Sequence, residues 1–331
     1  MLRWGVLGVA KIATAKVVPA MQRADGCDVV AIASRDGARA AAAAASLGIR
    51  RAHSSYAALL ADPEVDAIYI PLPNHLHVPW TTRAAEAGKH VLCEKPIALN
   101  ADEARTLLAV RDRTGVYIQE GFMIRTHPQW VRARALVDAG ELGDVRAITG
   151  FFSYYNTDTA NVRNVPEWGG GALLDIGCYL VNTARFIFNA EPSRVAGTMD
   201  KDPTFGVDRL TSMVLDFDGR HAIGTCSTQL QYYQRIQIVG TSGRLDVEIP
   251  FNAPIDRPCR LAFDRTGDLR GSGVEFIELD VCNQFTRQAE AFATAVRESR
   301  PQVPPLEDAV ANMACIDAVA RSSAKGTWEI P

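Results

Sequence analysis

The sequence predicts an α/β chain in two parts: a doubly wound parallel sheet over residues 1–122, then an α+β domain over residues 123–331 with a large, mostly antiparallel, open sheet. Three observations predict it. Short buried apolar runs alternate with helical stretches through residues 1–122, at the spacing of βαβ units. Between Ser193 and Leu279 apolar and polar residues alternate instead with a period of two, and turn signals separate the runs. A chain of 331 residues also suffices for two domains, each with its own core.

Arg3-Trp4-Gly5-Val6-Leu7 is the first strand, and Gly8-Val9-Ala10-Lys11-Ile12-Ala13 turns it into a helix reaching Met21. Gly8 permits the tight turn, and the amides at the helix start can receive a pyrophosphate. This is a dinucleotide fingerprint in weakened form, with Ala10 and Ala13 where the second and third glycines would stand. Ala13 suits helix–strand packing, whereas the Ala10 methyl intrudes where backbone must approach phosphate. The second strand, Asp28 to Ala33, ends in Ser34-Arg35-Asp36. An acidic ribose ligand would repel a 2′-phosphate; a hydroxyl and a guanidinium, with Arg39 one turn on, favour it. NADP(H) is therefore the expected cofactor, with NAD(H) as the alternative. Asp36 then caps the alanine-rich helix Ala38 to Ala45, which Gly48 ends.

Asp66 to Ile70 is the next strand. Pro71-Leu72-Pro73-Asn74-His75-Leu76-His77 follows it at the carboxyl edge, where Pro71, Leu72 and Asn74 can border the nicotinamide. Asn74 is read as the N-cap of a helix to Glu86, and His77 as a cofactor-side or local hydrogen-bonding group. After Ala87-Gly88, the strand Val91-Leu92-Cys93 delivers Glu94-Lys95-Pro96 to the same edge. Lys95 can hydrogen-bond or protonate a reacting oxygen, Glu94 can hold its position, and Pro96 fixes the chain direction. A helix from Ala101 to Arg113 and a strand from Val116 to Gln119 complete the sheet.

The pattern then changes. A helix from His127 to Ala139 precedes a strand from Val145 to Tyr154, and Gly169-Gly170-Gly171 leads into an apolar helix from Ala172 to Phe188. Asp175 and Tyr179, four apart, share one face of it. Such a pair either caps and packs or faces a polar cavity. Asp218-Gly219 and Gly240-Thr241-Ser242-Gly243 are hairpin turns. Helices from Gln284 to Ser299 and Leu306 to Ser323 close the chain, and Thr327 to Ile330 can add an edge strand. A broad sheet with one mixed face is most simply covered by a second subunit, so a homodimer or tetramer through this sheet is expected.

Composition narrows the partners. With 47% hydrophobic and 22% charged residues and a net charge of −3, the chain lacks the basic surface that nucleic acid or an anionic membrane requires. The reading finds neither an export leader nor an apolar run long enough to span a bilayer. The seven cysteines are scattered without a Cys-x-x-Cys pair, which fits reduced thiols in the cytoplasm and no metal site.

Gly8-Val9-Ala10-Lys11-Ile12-Ala13, Pro73-Asn74-His75-Leu76-His77, Ala87 through Pro96, and Gly169 through Tyr179 together resemble the Gfo/Idh/MocA family of NAD(P)-dependent oxidoreductases, over essentially the whole chain. The resemblance implies a Rossmann domain followed by a substrate and oligomerisation domain. Tyr179, where many members carry His, is similar to the branch with glucose–fructose oxidoreductase, dimeric dihydrodiol dehydrogenase and the NADP-linked xylose and glucose dehydrogenases. It further implies hydride transfer between nicotinamide and a sugar carbinol carbon, as in an aldose 1-dehydrogenase acting on D-xylose or D-glucose. A trans-dihydrodiol dehydrogenase, an NADPH-dependent keto-sugar reductase and a non-catalytic nucleotide sensor are the alternatives. Lys95, Tyr179 and Asp175 would be the catalytic set: Tyr179 or Lys95 takes the hydroxyl proton, and Asp175 orients the sugar or Lys95. Arg163 matches a family position near nicotinamide and substrate, and Arg125 is assigned to the cofactor rim.

Overall fold

The computed structural model describes residues 1–301 and 303–331. The chain divides into two compact units: Met1–Met123 with Asn283–Val310, and Ile124–Cys282 with Ala311–Pro331.

In the first unit six strands, β1 (Leu2–Leu7), β2 (Cys27–Ala33), β3 (Arg51–His53), β4 (Ala67–Ile70), β5 (His90–Cys93) and β6 (Ile118–Glu120), form one sheet. Its order is β3-β2-β1-β4-β5-β6, and every adjacent pair is parallel. The order reverses between β1 and β4, so the turns after these strands meet at the carboxyl edge, where open α/β sheets bind ligands. Apolar strand residues such as Val6, Ile32, Ile68 and Leu92 are buried because helices cover such sheets. The helix Gln284–Arg297, which the sequence reading placed in the second domain, packs with this unit instead. Phe292 explains why: its ring lies 4.9 Å from Trp4 and edge-on to Tyr117 at 5.2 Å, and all three carry large apolar area that β1 and β6 alone do not cover.

In the second unit β7 (Val145–Tyr155), β8 (Arg194–Lys201), β9 (Asp208–Asp216), β10 (His221–Ser227), β11 (Gln229–Gly240), β12 (Arg244–Val247), β13 (Cys259–Asp264) and β14 (Glu275–Leu279) make an eight-stranded sheet. Its order is β14-β13-β12-β11-β7-β10-β9-β8, antiparallel except for the parallel β7–β10 pair. The turn joining β9 and β10 has positive φ at Asp218 (+55°) and Gly219 (+89°), as a two-residue hairpin needs. Thr327 to Ile330 adds only one bridge, Glu329 with Val195. The stretch Pro166–Phe188 is long and apolar enough by composition to cross a membrane, but 89% of its most apolar 18-residue window is buried inside the protein. It is the core helix of this sheet, with Leu180 against Gly150 and Gly224.

Candidate active site

At the carboxyl edge of the first sheet β1 ends in Gly8, whose φ is +127°. A Cβ there would stand 3.0 Å from Leu72 Cδ2, so the turn and the Pro71-Leu72 loop close on each other only with glycine. Val9 and Ala10 are partly exposed in this turn, and the helix opens at Lys11 and Ile12. Ala13 is fully buried, as helix–strand packing requires. At the end of β2, Ser34 is buried and its hydroxyl accepts from the Asp36 amide, while Arg35 and Arg39 are exposed. Asp36 caps the helix Gly37–Leu47 through the amides of Ala38 and Arg39. A glycine cradle, an exposed helix start and two unburied guanidiniums fit a dinucleotide carrying an extra phosphate.

The Glu94-Lys95-Pro96 turn after β5 is held from three sides. Tyr69 on β4 donates to Glu94 Oε1 at 2.7 Å, and Glu120 on β6 accepts from the Ile97 amide at 2.8 Å. His77 supplies the third hold. Its Nδ1 lies 2.7 Å from the Pro96 carbonyl oxygen and its Nε2 2.7 Å from that of Leu72. Two carbonyls favour a proton on the ring, but burial outweighs them and pushes its pKa down to about 4. His77 is fully buried between these two loops, where a neutral ring donates to one carbonyl at a time, so of its two expected roles it takes the local hydrogen-bonding one rather than the cofactor-side one. Asn74 opens a short 3₁₀ turn, Asn74–Leu76, and does not cap the helix His77–Glu86, whose N-cap is Leu76 without a side-chain bond. The proline-rich approach forces that tighter entry.

The second unit carries the other chemical groups. The helix expected from Ala172 begins with a wide π turn, Leu173–Gly177, and continues as Cys178–Phe188. Such turns recur at functional sites. Gly171 (φ +111°) precedes it, and a Cβ there would fall 2.0 Å from Asp208 Oδ1. That gap lets the Asp208 carboxylate accept from the Leu173 amide at 2.8 Å and from Thr211 Oγ1 at 2.7 Å, capping the helix. Burial raises the Asp208 pKa to about 6. At Gly170 a Cβ would sit 2.5 Å from the Arg163 carbonyl oxygen, and the Gly171 amide donates to that oxygen, so the glycine run folds back on Arg163.

This folding delivers Arg163 to Asp175. Its Nε lies 2.9 Å from Asp175 Oδ2, and the Tyr154 hydroxyl donates to the same oxygen at 2.5 Å. Asp175 is 8% exposed. Its charge, first among the causes, holds the Arg163 pKa above its usual range. Burial first, then Asp175, holds the Tyr154 phenol well above the ordinary tyrosine value, so Tyr154 stays a donor. Tyr179, one turn beyond Asp175, is set in an aromatic group, edge-on to Phe152 at 5.8 Å and 5.1 Å from Phe251. The Arg125 guanidinium covers Phe186 at 4.4 Å and donates to Asn182 at 3.3 Å, its long apolar stem lying along the helix.

Comparison with known proteins decides the family. The model of the oxidoreductase family with an NAD-binding Rossmann fold, GFO/IDH/MocA, matches residues 2–122, and that of its C-terminal domain matches residues 130–246. The chain belongs to the Gfo/Idh/MocA oxidoreductase family. An uncharacterized oxidoreductase of Rhizobium meliloti is 48% identical over 330 residues, 99% of each chain. D-xylose 1-dehydrogenase (NADP(+)) 2 of Haloferax volcanii is 40% identical, with 98% of each chain covered. A solved structure of a 3-ketoreductase from Actinomadura kijaniata, in complex with NADP and TDP-benzene, matches with a TM-score of 0.90 at 31% identity over 97% of each chain.

Within this Gfo/Idh/MocA chain, sequence reasoning missed Tyr69, Glu120, Tyr154 and Asp208. Tyr154 had a signal, being a hydroxyl-bearing ring beside Tyr155 at the carboxyl end of β7. The others carried none, because their partners lie 25, 23 and 35 residues away.

Proposed function

We propose that this chain is an NADP(H)-dependent dehydrogenase transferring hydride between nicotinamide and the carbinol carbon of a sugar, of the aldose 1-dehydrogenase type. One observation carries the reading. Asp175, fixed at Oδ2 by Tyr154 and Arg163, is nearly buried one turn before Tyr179, a cost that packing alone would not require. The D-xylose dehydrogenase relative and the solved 3-ketoreductase support the substrate class and NADP.

Bound at the Gly8 turn, the nicotinamide nucleotide supplies the hydride acceptor. Gly8, Val9, Ala10, Lys11 and Ile12 would hold its pyrophosphate, Ser34, Arg35 and Arg39 the adenosine 2′-phosphate, and Pro71, Leu72 and Asn74 would border the ring. Lys95, whose turn Glu94 anchors, hydrogen-bonds the carbinol oxygen, and Tyr179 or Lys95 takes its proton. Asp175 orients the sugar, with Arg163 balancing its charge. The reverse reaction, reduction of a keto-sugar, has the structural match to the 3-ketoreductase in its favour.

The test is reduced-nicotinamide absorbance with NADP+ and a panel of pentoses, hexoses and trans-dihydrodiols, and with NADPH and keto-sugars. Lys95→Ala should lower turnover by orders of magnitude while NADPH still binds; near-normal turnover would refute the role of Lys95. Tight NADPH binding with no turnover on any substrate would point to a sensor. The exposed Ile223, Tyr232, Tyr233 and Val239 on β10 and β11 favour a homodimer or tetramer through the sheet, which sedimentation tests. The seven cysteines form no disulfide among the described residues, which suits the cytoplasm.

A further inference from the structure

A tyrosine that takes a proton must hold its oxygen within hydrogen-bond reach of the reacting hydroxyl, and the direction of its ring decides where that oxygen lies. Tyr179 stands two residues beyond the wide π turn Leu173–Gly177 and is nearly buried. Phe152 of β7 meets its ring edge-on at 5.8 Å, and Phe251 meets it at 5.1 Å with the planes tilted by 43°. Phe152 and Phe251 stack on each other at 4.8 Å, so the three rings close a triangle. Trp130 lies nearly parallel to Phe251, with ring centroids 6.4 Å apart.

Phe251 belongs to no strand. It lies in the loop between β12 and β13, fully buried, and a buried loop must find partners for its backbone groups. Gln129, Trp130 and Gln234 supply them. On the helix Pro128–Asp138, Gln129 Nε2 donates to the carbonyl oxygens of Ile249 at 3.0 Å and Pro250 at 3.2 Å, and Trp130 Nε1 donates to that of Pro250 at 2.8 Å. On β11, Gln234 Oε1 accepts from the amides of Phe251 at 2.9 Å and Asn252 at 3.0 Å. The helix and β11 thus fix the backbone on both sides of Phe251, while Trp130 and Phe152 pack against its ring.

We infer that Phe251 is a positioning residue: its anchored loop is a fixed backstop for the Tyr179 ring and keeps the phenol oxygen aimed at the carbinol proton. The inference rests on the reading above in which Tyr179 takes that proton. A ring held by flat neighbours has little rotation left to lose on the way to the transition state, which is how a buried loop raises the rate without touching the substrate.

The experiment is a double-mutant cycle of Phe251→Leu and Tyr179→Phe in the whole enzyme. It reads kcat and KM with NADP+ and D-xylose or D-glucose, whichever turns over faster. Leu fills much of the same apolar volume, so the melting temperature should fall by only a few degrees, but it offers no flat face. Phe251→Leu should lower kcat about tenfold, short of the roughly hundredfold that a 1 Å misplacement can cost, with KM and NADPH affinity within about twofold of native. In the Tyr179→Phe background the same substitution should leave the residual kcat unchanged. Native kcat in Phe251→Leu, an equal loss in both backgrounds, or a loss carried by KM would overturn the inference while the dehydrogenase reading stands. If Tyr179→Phe alone keeps kcat, Tyr179 does not take the proton and the inference falls with that role. If neither sugar turns over, the aldose reading falls and the inference with it.

Discussion

Replacing Asp208 by Asn should change how stability depends on pH. The carboxyl caps the helix that carries Asp175 and Tyr179 while nearly buried, and burial raises its pKa from 3.8 to about 6 against the opposing bonds from Thr211 and the Leu173 amide. The folded protein therefore binds this proton more tightly than the unfolded chain. The stabilisation is fully present below pH 3.8 and is lost as pH rises through 6. A shift of about 2 units corresponds to about 3 kcal/mol. Asn keeps an oxygen that accepts from the Leu173 amide but has no charge to bury. Urea unfolding of both proteins, followed at several values between about pH 4 and pH 7, isolates the group, because all other titrations cancel in the difference. Relative to Asp208→Asn, the native protein should lose about 2 kcal/mol across that range, the rest of the change falling below pH 4. A difference that stays constant with pH, or grows the other way, would refute the argument that Asp208 is a buried, reluctantly ionised cap.

Two further outcomes follow from the same region. Gly171→Ala puts a methyl into the Asp208 carboxylate at a left-handed φ, so the melting temperature should drop by an amount corresponding to about 3 kcal/mol. Unchanged melting would mean that the loop relaxes without cost. Tyr154→Phe removes the neutral donor to Asp175 while the Arg163 ion pair at Oδ2 remains; kcat/KM for the sugar should fall roughly tenfold to hundredfold, the range for a hydrogen bond to a charged group, with NADPH affinity retained. Equal loss of NADPH affinity would move Tyr154 from substrate orientation to general stability.

The parallel sheet was legible in the sequence because its signals are local. Apolar runs fix strands that must be buried on both faces, and Gly8, Asp36 and Gly48 act within a few residues of themselves. The placement of Lys95 at a carboxyl edge followed from β5 alone. For His77 the sequence left two roles open, because its carbonyl partners, Leu72 and Pro96, come from separate turns. Asp175 and Tyr179 were visible as a helical pair, but spacing could not say what held the carboxylate. Tyr154 and Arg163 reach it from 21 and 12 residues away.

By itself, then, the order of residues determined most of the strands, the glycine turns and the pairing of Asp175 with Tyr179 on one helix face, all of which depend on interactions within about one turn or one strand. Tertiary structure alone decided which of those side chains are engaged by distant partners, and that the helix Gln284–Arg297 joins the first unit through Phe292. The physical reason is that burial and charge pairing depend on which groups the folded chain brings within a few ångströms, a quantity that periodicity does not encode.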